Sequence, residues 1–245
     1  MRKVNLIPMA GAGQRFINEG YTTPKPMIDI NGLPMVIRAA KCLPNADIWI
    51  FICKEEHIKS AQIDKTLKRF FPNSTIISID YMTEGQASTC LLAKDLLRPN
   101  DLLTIGACDA GIVYNKNDFN DKIINNDALI WTFKNNKSVL KNPNAYGYVD
   151  VNKNERATRV SCKKPISHNP INDHALIGTF TFKRAEHFLV NAELMIKKGI
   201  RVNNEFYLDV VLDECINNDL KISPLKIKTY YCWGTPSDLS EFLKK

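Results

Sequence analysis

Long hydrophobic runs are missing from this 245-residue sequence. Its most apolar stretches, such as VNLIPMAGAG and DIWIFIC, fall well short of the roughly 20 residues needed to span a bilayer. The start, MRKVNLIPM, passes from two basic residues straight into a strand-like run, without the apolar region and small-residue cleavage site of a signal peptide. No membrane insertion is expected, and the expected location is the cytoplasm. Paired cysteines and metal-type histidines are missing too. The seven cysteines (Cys42, Cys53, Cys90, Cys108, Cys162, Cys215 and Cys232) are an odd number and form no CxxC pair, which argues against a disulfide framework or a zinc site. Most lie among apolar neighbours, as in IFIC and IGAC, where reduced thiols pack as small hydrophobes. The four histidines show neither HxxxH nor HExxH spacing. The formal charge of +7 is dispersed, with no dense basic run, so a solvated basic surface is expected rather than a nucleic-acid interface. Such a surface also attracts small polyanions such as triphosphates.

What is present is enough to build a core, since 44% of the residues are hydrophobic and 24% charged. The first half alternates strand-like and helix-like segments. Strands are expected over residues 3–9, 47–53, 74–80 and 101–108, and helices over 34–43, 55–70 and 85–97. Short apolar runs separated by helices signal a mainly parallel sheet covered on both faces. In the second half, strands are expected over 128–133, 145–151, 157–162, 175–182 and 221–230, and helices over 184–198, 205–217 and 237–244. The stretch NNKSVLKNPN reads as a polar loop, and Gly199 suits a left-handed helix cap. Nothing resembles an interdomain linker or an internal repeat. One domain over 1–245 is expected, with a nucleotide-binding half of about 1–110 and an acceptor-binding half of about 111–245.

Directly after the first strand comes IPMAGAGQRF, so Met9, Ala10, Gly11, Ala12, Gly13, Gln14 and Arg15 form a loop at a strand's carboxyl end. In open α/β sheets that is where ligands bind. Glycines let backbone amides approach phosphate oxygens without a side chain between. Arg15 suits bidentate phosphate contact, and Lys25, stiffened by Pro24 and Pro26, acts as a point charge. An isolated GxG is more readily a tight turn. No GK[ST] follows, which excludes a Walker loop, and Phe16 stands where a dinucleotide site would want a third glycine.

AGAGQRF followed by PKPMIDINGLPM resembles the nucleotidyltransferase family that includes sugar-1-phosphate nucleotidyltransferases and cytidylyltransferases, with GAGQR in place of the family's double glycine and GTR. Further similarities run to the closing WGTPSDL. The resemblance implies a three-layer, Rossmann-like (GT-A-type) α/β domain with a mixed, mainly parallel sheet. It also implies transfer of a nucleoside monophosphate to a phosphorylated small molecule. TEGQAST resembles the family's base-reading loop, with Gly85 allowing close approach and Gln86 able to donate to and accept from a pyrimidine edge. The alternative is an ordinary capped helix start, with Thr83 or Glu84 near the N-terminus. Asp109, ending LLTIGACD, matches the family's Mg²⁺-holding aspartate; Asp209, in NNEFYLD, is taken as the second, with Asp213 a lesser candidate one turn on. AYGYVDV places Tyr146 and Gly147 at the acceptor. RVSCKKP offers Lys163 and Lys164 there, with solvent exposure as the alternative, but lacks the glutamate that grips sugar hydroxyls. Trp233 is expected to pack or shape the pocket.

The implied catalytic residues are therefore Arg15, Lys25, Asp109 and Asp209. Within the family the whole pattern is most similar to cytidylyltransferases that decorate capsules. That similarity implies CTP as donor, L-glutamine phosphate as acceptor and Mg²⁺ as cofactor. A UTP- or dTTP-dependent sugar-1-phosphate nucleotidyltransferase is the nearest alternative. A non-catalytic nucleotide-sensing module would be expected to lose Lys25 or a metal carboxylate, and an oxidoreductase is disfavoured by the incomplete glycine fingerprint.

Overall fold

The computed structural model describes residues 1–244. Strands run in the order β1 (Lys3–Met9), β2 (Asp29–Ile30), β3 (Leu33–Pro34), β4 (Ile48–Lys54), β5 (Ser74–Ile79), β6 (Leu102–Ile105) and β7 (Ala110–Val113). They continue with β8 (Ala128–Phe133), β9 (Tyr148–Val151), β10 (Ala157–Ser161), β11 (His174–Phe182), β12 (Ile222–Lys226) and β13 (Thr229–Cys232). The helices are α1 (Gln14–Asn18), α2 (Met35–Ala40), α3 (Glu55–Ala61), α4 (Ile63–Phe70), α5 (Gln86–Leu91), α6 (Lys116–Asn125), α7 (Ser138–Lys141), α8 (Ala185–Lys197), α9 (Leu208–Asn217) and α10 (Pro236–Leu243).

Nine of the described strands make one mixed sheet with the path β10-β9-β11-β6-β1-β4-β5, while β8 pairs with β11 and β12 with β8. The pairs β1–β4, β1–β6, β4–β5 and β8–β12 are parallel, and β11 runs antiparallel to β6, β8 and β9. Alternate strand residues feed opposite faces. Val4, Leu6, Ile50 and Ile52 pack with Ala87, Phe188 and Val211 of α5, α8 and α9. Ile7, Met9, Phe51 and Cys53 pack with Ile37, Leu67 and Phe119 of α2, α4 and α6. This is the three-layer α/β architecture expected from continuous apolar strands between helices. None of the described helices is long and apolar enough to cross a membrane.

Several local expectations fail for identifiable reasons. The helix expected over 55–70 is two helices, because Gln62 adopts a left-handed conformation (φ 48°, ψ 41°) that no helix continues through. The strand expected over 221–230 divides: β12 pairs with β8 in the main sheet, whereas β13 pairs with β7 in a separate ladder. The strand and helix of β7 and α6 were not anticipated at all. Part of NNKSVLKNPN is helical (α7), and the helix expected from 205 starts at Leu208.

The edge of the site half is pinned by a buried pair. Arg2 donates from Nε to Asp101 Oδ1 at 2.8 Å and also contacts Oδ2, while the Arg98 amide donates to Oδ2 at 2.7 Å. Only 2% of the Asp101 side chain is exposed. Its carboxyl titrates below the ordinary value: burial pushes up, and the hydrogen bond from Arg2 and the Arg98 amide together outweigh it. Arg2→Met is expected to cost about 2 kcal/mol in urea unfolding, because it strands a buried acceptor. Since the folded value is depressed, this contribution is fully present above the unfolded pKa near ~3.9 and disappears as pH falls through the lower folded value. Wild type and variant stabilities should therefore converge in acid.

Candidate active site

The chain leaves β1, builds β4 and β5 on one side, then returns to place β6 on the other side of β1. Loops after β1 and β6 consequently leave in opposite directions, opening the crevice that α/β sheets offer at a switch point. A cavity of about 510 Å³ lies there. Its walls include Met9, Ala10, Gly11, Ala12, Gly13, Gln14 and Arg15 from the first loop, Lys25, Gly85 and Gln86, and Asp109 after β6. Every residue assigned from sequence to the nucleotide thus meets in one cavity.

Local structure explains how each is held. Gly13 has φ 65° and leads into α1, and a Cβ there would sit 3.3 Å from Lys25 Cβ, so the glycine lets the two segments close. Phe16, at the position of the absent third glycine, is an anchor. It packs with Ile28, Ile30, Met35, Trp233 and Leu239, and its ring lies 5.8 Å from the Lys25 ammonium. Trp233 is buried as expected, and its amide donates to the Asp109 carbonyl at 2.9 Å. Lys25 forms an ion pair with Asp109 across the cavity wall. Burial works against the ammonium, but the Asp109 carboxylate beside it outweighs that and leaves the Lys25 pKa above its ordinary value. Arg15 is exposed and has no hydrogen-bond or ion-pair partner among the described residues, so its guanidinium is available to a ligand.

The loop expected to read the base, around Gly85 and Gln86, is stitched to the second half of the chain. The Phe206 amide donates to the Glu84 carbonyl at 2.8 Å, and the Ala87 amide donates to the Phe206 carbonyl at 3.0 Å. Gly85 between them has φ 129°, and a Cβ on it would lie 2.6 Å from both Phe206 N and O. Thr83 and Thr89 hydroxyls meet at 2.5 Å, and Thr89 also donates to the Gly85 carbonyl at 3.0 Å, fixing the turn.

Sequence reasoning missed Glu205, Leu208 and Gly178, which also line the cavity. Gly178 sits at φ 72° where the β11–β8 register shifts, and a glycine inside a strand run was the signal for such a bulge. Glu205 closes a tight turn whose Asn203 and Asn204 both have positive φ (48° and 63°), with mutual backbone bonds to Val202 of 2.9 and 3.0 Å. The pair Asn-Asn was the available sign.

Asp209 and the residues expected from sequence at the acceptor form a different group. Asp209 follows Leu208 on α9 and is not among the residues that line the cavity. Its carboxylate lies against Gly147, where a Cβ would collide with Oδ2, and receives the Cys162 thiol. Burial raises its pKa despite nearby Lys163, that thiol and its own amide. Lys163 is drawn inward: it has φ 58°, and its ammonium donates to the Ala145 carbonyl at 2.6 Å and lies 5.4 Å from the Tyr207 ring centre. Lys164 is exposed, as the alternative reading had it. Tyr146 turns its ring onto Phe133 (5.5 Å, edge to face), and burial pushes its phenol up to about 12. Asp213 serves the fold, accepting from the Val160 amide at 2.8 Å to tie α9 to β10.

For Mg²⁺, Asp109 fits: it is a hard oxygen donor on the cavity wall that already attracts a cation, Lys25. The described residues contain no group of three or more His, Cys, Asp and Glu that could cage a metal. Mg²⁺ held by one carboxylate together with phosphate oxygens and water requires no such cage.

A glycine loop, two cations and a carboxylate at an α/β switch point define a binding site for a phosphate-bearing ligand. The Nucleotidyl transferase family profile matches residues 4–241, and the chain belongs to that family. A search of curated proteins gave no match. Among solved structures, the fold is similar to a nucleoside-diphosphate-sugar pyrophosphorylase from Vibrio cholerae RC9 (TM-score 0.79, 20% identity, 98% of this chain and 100% of that one). It is also similar to a putative glucose-1-phosphate thymidylyltransferase from Bacillus anthracis (TM-score 0.77, 14% identity, 99% and 94%). A third is the inositol-1-phosphate CTP transferase from T. maritima (TM-score 0.72, 13% identity, 99% and 94%).

Two glycines in this cavity should behave oppositely when replaced. Gly85→Ala meets backbone atoms that cannot yield and should cost about 2 kcal/mol, lowering Tm by about 6 °C. Gly11→Ala meets nothing within 4 Å. It should leave Tm within about 2 °C of wild type while weakening triphosphate binding, with calorimetry and thermal melts reading the two effects separately.

Proposed function

We propose that this nucleotidyl transferase takes CTP and transfers CMP to a phosphorylated small molecule, L-glutamine phosphate being the acceptor the sequence pattern favours, with release of pyrophosphate. The observation that carries the reading is the convergence of Gly11, Gly13, Arg15, Lys25, Gly85, Gln86 and Asp109 on one cavity between β1 and β6. At about 510 Å³ it has the size of a small-ligand site. The exposed Gln86 amide can pair with a pyrimidine edge, since it both donates and accepts. The acceptor side supports a non-hexose substrate: Cys162 stands before Lys163 and Lys164, and its thiol is turned to Asp209 instead of offering a carboxylate to sugar hydroxyls.

The acceptor's phosphate monoester is already largely ionised at neutral pH, with a second pKa of about 6, so it needs no general base. One of its oxygens forms a bond to the α-phosphorus as the bond to the β-phosphate oxygen breaks, and pyrophosphate leaves with that electron pair. Catalysis is then positioning and charge neutralisation. Lys25, kept charged by Asp109, neutralises the α-phosphate and the incoming oxygen. Arg15 takes the β- and γ-phosphates, and the backbone of Ala10 to Gly13 approaches them without side-chain obstruction. Asp109 would hold Mg²⁺ with phosphate oxygens and water, the ion supplying further neutralisation of phosphate charge.

The test is pyrophosphate release with each of CTP, UTP, dTTP, ATP and GTP against a panel of phosphorylated acceptors in Mg²⁺. Release with CTP and a non-sugar phosphate is expected, whereas release only with UTP or dTTP and a hexose phosphate would overturn the cytidylyl assignment. Asp109→Asn should lower kcat at least about 100-fold while circular dichroism shows the fold retained. An unchanged rate would remove Asp109 from the catalytic set.

A further inference from the structure

A second cavity, of about 500 Å³, shares no lining residue with the nucleotide cavity. One wall is β13, which pairs with β7 and with no other of the described strands. The chain leaving β8, from Phe133 to Lys141, forms another wall, and α10 contributes Asp238, Glu241 and Phe242. The charge of this cavity follows from the sheet. Strands β8 and β12 run parallel with Thr132 opposite Lys226, and the Ile227 amide then donates to the Thr132 carbonyl at 2.9 Å. Two chains therefore leave the sheet side by side, and two residues beyond that last pair each brings a lysine to the cavity, Lys134 and Lys228. Lys137 adds a third.

None of these three ammonium groups has a hydrogen-bond or ion-pair partner among the described residues. The acidic residues of the wall are committed elsewhere. Glu241 pairs with a fourth lysine, Lys141, and Asp238 accepts from the Thr235 hydroxyl at 2.7 Å. His174, whose Nδ1 meets the Thr132 hydroxyl at 3.0 Å, registers the resulting field. Its pKa is pushed down to about 4, first by burial and next by the positive charges of Lys134 and Lys226. The remaining wall is aromatic. Tyr230 stacks on Phe133 with ring centres 4.7 Å apart, and Tyr231, 38% exposed, meets Phe242 edge to face at 5.1 Å. Uncompensated ammonium groups beside aromatic rings suit a ligand that carries negative charge on an apolar body. Lysine serves phosphate as a point charge, and a phosphate monoester carries nearly two charges at neutral pH against one for a carboxylate.

Independently of the transferase reading, we infer that this cavity is a second ligand site, which binds a small organic phosphate, a phosphomonoester with an apolar body. Its volume is that of a small-molecule site. Lys134, Lys137 and Lys228 take the phosphate, and Tyr231 and Phe242 cover the body. The site is separate from the triphosphate's, and one short stretch divides them: Cys232 lines the second cavity and Gly234 the first.

The experiment titrates the full chain with phenyl phosphate, inorganic phosphate and benzoate, using calorimetry for affinity and backbone-amide NMR shifts for location. Phenyl phosphate should bind at least about 10-fold more tightly than either of the others, with the largest shifts at Lys134 and Tyr231. Lys134→Met combined with Lys228→Met keeps both stems and removes both charges. It should weaken phenyl phosphate at least about 10-fold while Tm stays within about 2 °C of wild type. Tyr231→Ala should bring phenyl phosphate down to the affinity of inorganic phosphate. Arg15→Ala, in the nucleotide cavity, should leave these shifts and this affinity unchanged. Four results would each overturn the assignment: no binding of phenyl phosphate, benzoate binding as tightly, binding that survives the double lysine variant, or binding lost in Arg15→Ala with shifts centred on Gly11 to Arg15. None of these readings involves pyrophosphate release, so the transferase reading can fail while this one stands, and the reverse.

Discussion

The site depends on the position of β1 in the sheet. With β4 on one side and β6 on the other, both parallel to it, β1 is fully paired, and the loops leaving β1 and β6 must separate. An ion pair spans the gap between them: Lys25, brought in by the Pro24–Pro26 segment, meets Asp109 at the end of the β6 loop. That contact holds a cation where a triphosphate would bring negative charge. The Asp109 carboxylate keeps the ammonium charged against the penalty of burial. A bound polyphosphate would compete with Asp109 for Lys25, so the pair is both a structural tie and a ligand-ready arrangement.

A second layer of ties joins the two halves of the chain around this gap. Backbone bonds from Phe206 to Glu84 and Ala87 fasten the base-reading loop to the segment that enters α9. Arg201 reinforces them at the surface, stacking on the Phe206 ring at 3.9 Å and pairing with Glu84 at 2.6 Å. At the other end, Trp233 bonds the Asp109 carbonyl and packs on Phe16, so the C-terminal segment supports both the glycine loop and the carboxylate. Nucleotide and acceptor residues are thus parts of one connected scaffold, with α9 shared between them.

Much of this was legible in the residues. Continuous apolar runs in VNLIPM and IWIFIC announced strands buried on both faces, and the glycine loop with Arg15 and Lys25 announced a phosphate site at a strand's carboxyl end. Those features are local: periodicity and glycine placement act through the nearest few residues. The break at Gln62 was not legible, because the helical pattern runs through it. Nor was the separation of β12 from β13, since an apolar strand pattern does not say which strand will pair with it.

Asp209 marks the boundary most clearly. The sequence by itself determined the alternation of strands and helices, the loop chemistry and the presence of two carboxylates 100 residues apart (209 − 109). Only the tertiary structure decided that Asp109 lines the cavity beside the glycine loop and that Asp209 lies against Gly147 and Cys162. The physical reason is that one residue's step along α9 rotates a side chain by about 100°. With Leu208 on the cavity wall, Asp209 lies against Gly147 and Cys162, which flank β9 and β10, far away in the chain.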